Sequence, residues 1–548
     1  MTATSLDRAG NLPSDLVIGA FSEMAPWIVD PTSMPWLEGV DLLRDQTRET
    51  VPHLLRRRLL PPGRRAITIG CEISAAILRW YFTGRHKEKL VSRTQLSRNM
   101  RMAFEHLGPT FIKLGQILSA GEGIFPQELV SEFAQCRDRV PADSFQAVRQ
   151  TVEKELGRSL TEVFTSFDPV PLAAASIAQV HAAQLRTGES VVVKVQRPYV
   201  KRLVQRDIAA MSWIAPLLGG RIPVATLANP PALVELFAET IVEELDFRLE
   251  AANMLDFASV LARTGQRALV VPRPHPSLVT EKVLVMERLD GFEWGDVAGM
   301  RAAGVDTEEV LRASLTAFLE GAILYGVFHG DLHGGNLSVL PNGKVAVMDF
   351  GITGRLDDLK RTAFIKLMVS ATSNDPRGQV EALKGLGALP PDADIDTVVS
   401  DLRLDQPPLD PTRLSADQLA SELRDLTKAL LSHGAKLPKE LTLFIKDMIF
   451  LDQAVSLLAP DIDLLSEIGQ LLTYFYEHHG EKIAQDLGIS PDEIPAVDTE
   501  GIRASLMVAE PVDHLTYSDL RARREALWNK LENDRQVPGN RPGHLRNP

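Results

Sequence analysis

Cysteine is almost absent from this chain, since Cys71 and Cys136 are its only two among 548 residues. They form no C-x-x-C pair and no cluster with histidine, so the sequence predicts neither a disulfide framework nor a structural zinc site. Met1–Leu12 is polar and lacks the apolar core of a secretory signal. These absences favour a reducing, cytoplasmic setting.

Long apolar runs are lacking as well. The most apolar stretch near the amino terminus, Ala66–Phe82, is seventeen residues long and is interrupted by Glu72 and Arg79. A spanning helix needs roughly 20 apolar residues, so no spanning helix is predicted here or elsewhere. Two interpretations of the stretch stay open. It is either a core helix of a helical extension with solvated basic flanks, or a helix lying in a membrane interface.

Charge is unevenly distributed along the chain. The net charge of -13 argues against general nucleic-acid binding. Between Arg56 and Arg101, however, twelve basic residues face only Glu72 and Glu88, which makes this segment +10 and the remainder -23. The asymmetry predicts an anionic partner at this end, most simply a membrane surface at which the protein would be peripheral.

The most informative stretch is Val327–Leu356. It places Asp331 and Asn336 in one loop, then a turn, and then a strand, Val345–Met348, that leads into Asp349 of Asp-Phe-Gly. Phosphoryl-transfer sites of the kinase type need an aspartate near the acceptor, and an asparagine and a second aspartate on magnesium. The combined motif therefore predicts such a site, with an ordinary acidic turn as the alternative.

A hairpin upstream carries a lysine. Alternating β-branched residues predict strands Ile177–Leu185 and Val191–Val195, and Lys194 lies in the second. A strand lysine of this kind contacts nucleotide phosphates in kinases. The loop before it should be glycine-rich, but its residues add β-carbons that disfavour positive φ; they are Ala173, Ala174, Ala175 and Ser176. A plain β-hairpin without such a role is the alternative.

Two further segments offer polar groups. Leu107–Ala120 is predicted to be a helix on which Lys113 and Gln116, three apart, share one face. Leu233–Asn253 is predicted to be one helix whose second half is crowded with acids: Glu243, Glu244, Asp246 and Glu250. Residues 244 and 250 are separated by about 240° around a helix, so the two lysines would use one acid each. Solvated surface side chains are the alternative for both segments.

A possible nucleotide hinge follows. Val283–Met286 is predicted to be a strand that runs into Glu287–Gly291. In a kinase-like fold this segment would join the lobes, and its backbone groups would meet an adenine. Met286, Glu287 and Arg288 are the candidate contacts.

Together these motifs resemble the UbiB/AarF family of atypical protein-kinase-like ATPases. The matching elements are LGPTFIKLGQ, AAAS, VVVKVQRP, EELDFRLEAAN, FHGDLHGGNL and VMDFG. They cover roughly Leu107 to Leu356, with a looser match after Leu437. The resemblance implies an α+β, bilobal protein-kinase-like fold, with a small β-containing N-lobe, a helical C-lobe and an N-terminal helical extension.

The resemblance also implies roles for the lysines. Lys194 resembles the family's phosphate-contacting lysine, and Glu250 resembles its helix partner. Lys113 and Gln116 resemble a K-x-G-Q pair that reaches into the nucleotide cleft. In the family this pair contacts two acids, which correspond here to Glu244 and Asp246.

The catalytic loop is matched in the same way. Asp331 resembles the catalytic aspartate, and Asn336 and Asp349 resemble the magnesium ligands, so the resemblance implies Mg²⁺ and ATP or ADP as cofactors. Gly330 replaces the arginine of the usual kinase H-R-D, and no A-P-E follows Asp-Phe-Gly. Gly330 leaves no arginine to read an activation-loop phosphate, and the missing A-P-E agrees with a role other than protein kinase.

The expected organisation has five parts. Residues 1–51 would form an irregular N-terminal arm, and residues 52–165 the helical extension with the basic segment and the K-x-G-Q helix. Residues 166–290 would form the N-lobe and 291–534 the C-lobe. The polar tail, 535–548, is expected to be disordered.

The resemblance implies an enzyme, an ATPase or small-molecule kinase acting at a membrane surface in ubiquinone or isoprenoid-lipid metabolism. Its expected partners are ATP or ADP, an anionic membrane surface or isoprenoid lipid, and a biosynthetic protein complex, but not nucleic acid. A nucleotide-sensing pseudokinase scaffold with negligible turnover is the alternative, and a protein Ser/Thr kinase is a lesser one. The phosphoryl acceptor and the pathway are not determined by the sequence.

Overall fold

Apolar residues at helical spacing fold most of this chain into helices, and the alternating segments form strands. The structure, a computed structural model, describes residues 21–22, 26–56, 60–119, 126–136, 141–218, 230–406, 429–430, 432–436, 438–498, 500, 515–522 and 525. These residues belong to two units. One comprises the described parts of 5–294 and 329–353, and the other those of 295–328 and 354–548. The predicted disordered tail, residues 535–548, lies outside the described residues.

The first unit contains ten helices and most of the strands among the described residues. Its helices are α1 (Val40–Leu54), α2 (Gly63–Thr83), α3 (Lys89–Leu107), α4 (Pro109–Ser119), α5 (Gln127–Phe133), α6 (Phe145–Leu156), α7 (Leu160–Val163), α8 (Val200–Leu218), α9 (Pro230–Glu243) and α10 (Phe247–Arg263). Its strands are β1 (Phe164–Phe167), β2 (Ala173–Ala174), β3 (Ala178–Leu185), β4 (Ser190–Gln196), β5 (Leu269–Val270), β6 (Pro274–Val279), β7 (Val283–Glu287) and β8 (Phe292–Glu293).

An antiparallel sheet forms the core of this unit. Its strands follow the order β1-β3-β4-β7-β6, and β2 pairs with β3. Lys194, in β4, lies opposite Val180 on one side and Leu284 on the other. Because side chains alternate across a strand, Val191, Val193 and Val195 enter the apolar core, while Lys194 points to the other face.

A layer of helices forms a second apolar cluster in the same unit. It draws on α2, α4, α5, α8 and α9, with Phe111, Phe133 and Phe237 almost fully buried. The α2 helix buries Ala66, Ile69, Ile73 and Ala76. The interpretation of Ala66–Phe82 as a core helix is therefore correct for the face of α2 that carries these four residues.

The predicted single helix over Leu233–Asn253 is wrong. The chain forms α9, which ends at Glu243, and α10, which begins at Phe247. Asp246 starts the second helix as its N-cap, because its carboxylate accepts a hydrogen bond from the backbone N–H of Arg248. Aspartate is among the strongest N-cap residues, and this cap competes with continuation of the helix.

The prediction of an irregular N-terminal arm over residues 1–51 is wrong for residues 40–51. Pro31–Ser33 and Pro35–Leu37 form single 3₁₀ turns, but residues 40–51 belong to α1. The inner side of this helix buries Val40, Arg44 and Val51. Because the segment has few apolar residues at helical spacing, its helix depends on this tertiary packing.

The second unit is mainly helical. Its helices are α11 (Val297–Ala302), α12 (Thr307–Glu320), α13 (Asp358–Thr372), α14 (Pro376–Gly385), α15 (Ile395–Asp401), α16 (Lys439–Leu458) and α17 (Leu464–Leu487), with a π-helical turn at Gly321–Tyr325. Strands β9 (Val327–His329), β10 (Leu337–Val339), β11 (Val345–Val347) and β12 (Thr353–Arg355) precede and follow the catalytic loop in the chain, and β10 and β11 belong to the first unit. Among the described helices, none has the length and apolarity to cross a membrane, which confirms that prediction.

The glycine of the K-x-G-Q motif is required by helix packing. A Cβ atom at Gly115 would lie 2.9 Å from Sγ of Cys136 and 2.9 Å from the ring of Phe133. We expect Gly115→Ala to destabilise the protein by about 1–3 kcal/mol, because α4 would have to move away from α5 to make room for the methyl group. Thermal unfolding would measure this loss of stability.

Gly70 in α2 is the matched control. A Cβ atom there would meet no atom within 4 Å, so Gly70→Ala should leave the melting temperature unchanged or raise it, since alanine favours a helix by about 1 kcal/mol. Equal melting temperatures of the two variants would contradict the packing argument.

Candidate active site

Lys194 is held by two carboxylates. Its Nζ lies 2.7 Å from Oε1 of Glu250 on α10 and 2.9 Å from Oδ1 of Asp349. Glu250 is almost fully buried, whereas the Asp349 side chain is 47% exposed. The lysine thus joins a buried helix position to the exposed aspartate of Asp-Phe-Gly.

The backbone at Asp349 is strained. Its φ is +57°, in the left-handed region that non-glycine residues seldom adopt. Phe350 is fully buried beside it and packs against Phe257 and His329, with ring centroids 5.3 and 5.0 Å apart. Such strain persists only where the surroundings enforce it, and it is concentrated at functional sites.

A second lysine makes a parallel set of contacts. Nζ of Lys113, on α4, lies 3.0 Å from Oε1 of Glu244 and 3.6 Å from Oδ2 of Asp331. Gln116 lies three residues further along α4 and is half-buried. The break between α9 and α10 lets Glu244 and Glu250 face different lysines. Each lysine therefore meets one glutamate from the α9–α10 region and one aspartate from the catalytic segment.

Asp246 is placed differently from the expectation. The resemblance put it with Glu244 against the K-x-G-Q helix, but its carboxylate forms an ion pair at 2.7 Å with Arg248 as well as capping α10. Among the described residues its partner is thus Arg248 rather than Lys113. The expectation was wrong because the helix break commits this carboxylate to the local N-cap.

The catalytic loop is organised by a histidine that the sequence analysis did not single out. Nε2 of His329 donates to the carbonyl of Met348 at 3.0 Å, and its Nδ1 accepts from the backbone N–H of Asp331 at 3.1 Å. Both contacts fit one neutral tautomer, and burial lowers the pKa of His329. Its place two residues before Asp331 was the available sequence clue.

Asn336 is oriented by the same loop. It ends a 3₁₀ turn, Gly334–Asn336, and its Nδ2 donates to the backbone carbonyl of Asp331 at 3.0 Å. Since the amide nitrogen is used in this way, Oδ1 is the atom that would meet a cation. Its backbone carbonyl also accepts from the N–H of Met348, the residue before Asp349, at 2.8 Å.

The alanine loop is a closed turn. Ala173 and Ala174 pair with Val180 and Gln179 of β3, and the N–H of Ala175 donates to the carbonyl of Ala178 at 2.9 Å. Ser176 is buried. Backbone groups that a glycine-rich loop would offer to phosphate are partly used within this turn.

The predicted hinge is fastened through side chains. Met286 and Glu287 end β7 and are both buried. The Glu287 carboxylate accepts from the backbone N–H of Arg273 at 3.2 Å and from the hydroxyl of Ser22. Arg288 pairs with Asp290 at 2.9 Å.

Burial and the neighbouring charges together shift the pKa values of the lysines and carboxyl groups in this cluster. Loss of hydration would raise the pKa of Asp349, but the Lys194 and Lys113 ammoniums outweigh it and hold the pKa at about 2. Burial raises the pKa of Glu250 to about 7 despite Lys194, and burial also raises the pKa of Glu244. Although burial by itself would lower the pKa of each lysine, the neighbouring carboxylates raise both.

The donor set fits a magnesium ion. Four carboxyl groups lie beside two ammoniums in this cluster, and the pKa of about 2 keeps the Asp349 carboxylate charged, as a divalent cation requires. The oxygen atoms of Asp349 and Asn336 are hard ligands, and Mg²⁺ is usually held by one or two such groups together with substrate phosphates.

Glu250 predicts a pH dependence of stability. Its native pKa of about 7 lies above its value of about 4.3 in an unfolded chain, so the native protein retains a proton that the unfolded chain loses. This contribution is complete below about pH 4 and is lost as the pH rises through about 7. We expect the melting temperature of wild type minus that of Glu250→Gln to fall from pH 5 to pH 8. A difference that stays constant or rises would contradict the assignment.

Comparison with known proteins places this site in a family. The ABC1 atypical kinase-like domain matches residues 135–383. An uncharacterized protein of Mycobacterium tuberculosis is 35% identical over 439 residues, covering 78% of this chain and 88% of the relative. A probable protein kinase UbiB of Aeromonas hydrophila is 31% identical over 389 residues, covering 70% and 71%.

One solved structure overlaps more loosely. The complex of Rv3197 with erythromycin from Mycobacterium tuberculosis covers 63% of this chain and 91% of its own, at 21% identity and a TM-score of 0.36. The family rests on the sequence relatives, which also confirm the predicted α+β, kinase-like fold class. With an ABC1 domain that includes Lys194, Glu250, Asp331 and Asp349, the chain belongs to the UbiB/AarF family of atypical kinase-like proteins.

Proposed function

We propose that this protein is a magnesium-dependent ATPase or small-molecule kinase that acts at a membrane surface in support of ubiquinone or isoprenoid-lipid metabolism. The observation that carries the proposal is the pairing of Lys194 with Glu250 and Asp349, in the same unit as Asp331 and Asn336. These are the groups that phosphoryl transfer of the kinase type requires. Membership of the family supports the reaction class.

Each group has a proposed role. Lys194, held by Glu250, would contact the nucleotide phosphates, and Asp331 would orient the attacking water or hydroxyl. Asp349 and Asn336 would hold magnesium, which would neutralise charge on the phosphoryl oxygens. Lys113, 3.6 Å from Asp331, would stabilise negative charge near the acceptor.

Further contacts complete the proposed nucleotide site. The hinge residues Met286, Glu287 and Arg288 would meet the adenine, and Gln116 would lie beside Lys113. The alanine loop, residues 173–176, would cover the phosphates with fewer backbone donors than a glycine-rich loop.

Two features favour a second candidate, a nucleotide-sensing scaffold with negligible turnover. Lys113 lies beside Asp331 and the alanine loop is closed by its own hydrogen bond. A lysine ammonium at the catalytic aspartate would compete with an acceptor for that carboxylate. In this case the same groups would bind ATP or ADP without rapid hydrolysis.

The Asp349→Asn variant tests the enzyme. We expect magnesium-dependent phosphate release from ATP to fall at least about 100-fold, since the variant loses the charge of a proposed metal ligand. Phosphate release by the purified full-length chain would measure this. Asp358→Asn, at an exposed position in the first turn of α13, is the matched control and should keep the wild-type rate.

The outcomes separate the candidates. Full turnover by Asp349→Asn would overturn the metal assignment. Stabilisation of wild type by Mg-ADP or Mg-ATP without phosphate release would favour the scaffold. No stabilisation by either nucleotide would contradict nucleotide binding altogether.

The outer face of α2 supports the membrane part of the proposal. Ile67, Leu78, Tyr81 and Phe82 are 45–77% exposed and lie within about 100° of one another around the helix. Exposed Arg64 and Arg79 lie along one side of this stripe. An apolar stripe with basic neighbours is suited to the surface of an anionic membrane.

Replacing this stripe should weaken lipid binding. We expect Leu78→Glu/Phe82→Glu to bind vesicles of phosphatidylcholine and cardiolipin at least about tenfold more weakly, because two large side chains could no longer enter the lipid. Vesicle co-sedimentation would measure this. Leu359→Glu, which changes a leucine that is 85% exposed on α13, is the control, and equal binding by both variants would contradict the proposed surface.

A further inference from the structure

The N-terminal segment, defined here as residues 21–22 and 26–54, precedes the residues 135–383 that match the ABC1 domain. No motif in it predicts chemistry. Its polar side chains nevertheless bond to the elements that present Glu250, Phe350 and Glu287, and all of these residues belong to the same unit. This placement gives the segment a connection to both ends of the proposed nucleotide site.

The first connection passes through Arg44 of α1. Its Nη2 donates to Oδ1 of Asn253 at 3.1 Å and lies 4.0 Å from Oδ2 of Asp256, both on α10. The side chains of Arg44 and Asp256 are 11% and 5% exposed. The contact is therefore a buried one, and removing the Arg44 charge would take away one partner of Asn253 and of Asp256 in a water-poor site, where a lost polar contact is costly.

Asn253 extends this connection to Asp-Phe-Gly. Its Nδ2 donates to the backbone carbonyl of Phe350 at 2.9 Å. It also lies three residues after Glu250, one turn along the same helix. One amide thus links Arg44 to the backbone next to Asp349 and to the helix that carries the partner of Lys194.

The second connection is at the hinge. The Ser22 hydroxyl donates to Glu287, and Nη2 of the fully buried Arg273 donates to the Ser22 carbonyl. The Arg273 guanidinium lies 5.1 Å from the ring centroid of Phe21 and its Nε lies 3.7 Å from Oε2 of Glu287. Ser22 therefore belongs to the buried network that fixes the Glu287 side chain.

Between these ends the segment follows β6, which is the edge strand of the sheet. The indole N–H of Trp27 donates to the carbonyl of Pro274 at 3.0 Å, and that of Trp36 donates to the carbonyl of His275 at 3.3 Å. Trp36 is buried. These contacts hold the segment between α10 and the hinge.

We propose that the N-terminal segment is an intrachain activating element that sets the position of α10 and of the hinge for nucleotide binding. Arg44 is a positioning residue for the Lys194–Glu250 pair, acting through Asn253, and Ser22 is a positioning residue for Glu287. Displacement of the segment would lower nucleotide affinity, which makes it a point of regulation. The inference deepens the proposed function and rests on it where nucleotide affinity is concerned.

The test compares Arg44→Gln with Arg48→Gln in the full-length chain. Arg48 lies on the same helix, but its side chain is 55% exposed and its ion pair is with Glu243. Without nucleotide, we expect Arg44→Gln to speed amide hydrogen exchange several-fold over Phe247–Arg263 and around Phe350, and Arg48→Gln to leave it unchanged. Unchanged exchange in Arg44→Gln would overturn the inference whether or not the protein binds nucleotide.

Mg-ADP affinity provides the second measurement. We expect Arg44→Gln to weaken binding about tenfold, Arg44→Lys to restore most of it, and Ser22→Ala to weaken it by a smaller factor. In a Glu250→Gln background the effect of Arg44→Gln should fall below about twofold, because groups acting through one contact are non-additive. An equal loss in both backgrounds would show general destabilisation and overturn the positioning role. If wild type does not bind Mg-ADP, the proposed function fails, and the exchange experiment alone decides the inference.

Discussion

The first unit depends on neutralising charge around two nearly buried lysines. Lys194 and Lys113 each lie between one acid from the region of α9 and α10 and one aspartate of the catalytic segment. An unpaired ammonium or carboxylate in such a place would be strongly unfavourable. Satisfying all of these charges therefore requires the sheet, the helical extension and the catalytic loop together.

The break between α9 and α10 makes this arrangement feasible. A continuous helix would place Glu244 and Glu250 on different sides of one rigid element, and the distance and angle between the two carboxylates would then be fixed by helix geometry. With Asp246 as an N-cap, the two acids belong to different local structures and each meets its own lysine. The resemblance assigned Asp246 to the K-x-G-Q contact, but its carboxylate caps α10 and pairs with Arg248. The sequence therefore identified Asp246 as a structurally important acid but not its partner.

Support for the site extends beyond the residues that touch the lysines. His329, Asn253 and Asn336 use neutral hydrogen bonds to fix the backbone at Asp331, Phe350 and Met348. These bonds maintain the left-handed conformation of Asp349 without adding charge to a crowded cluster. The N-terminal segment contacts this framework through Arg44, whose guanidinium donates to Asn253. Strain at the site is therefore offset by contacts distributed over distant parts of the chain.

The sequence by itself determined the family and pointed to the candidate site residues, because an Asp, an Asn, Asp-Phe-Gly and a strand lysine at these spacings form a local pattern. It also determined the hairpin of β3 and β4, whose alternation has a period of two. Only the tertiary structure decided that Asp246 caps α10 and pairs with Arg248, where the acidic helix breaks, and that residues 40–51 are helical. Those outcomes depend on competition between local capping and long-range ion pairs. Local pattern carries no information on that competition, because the partners are far apart in the chain.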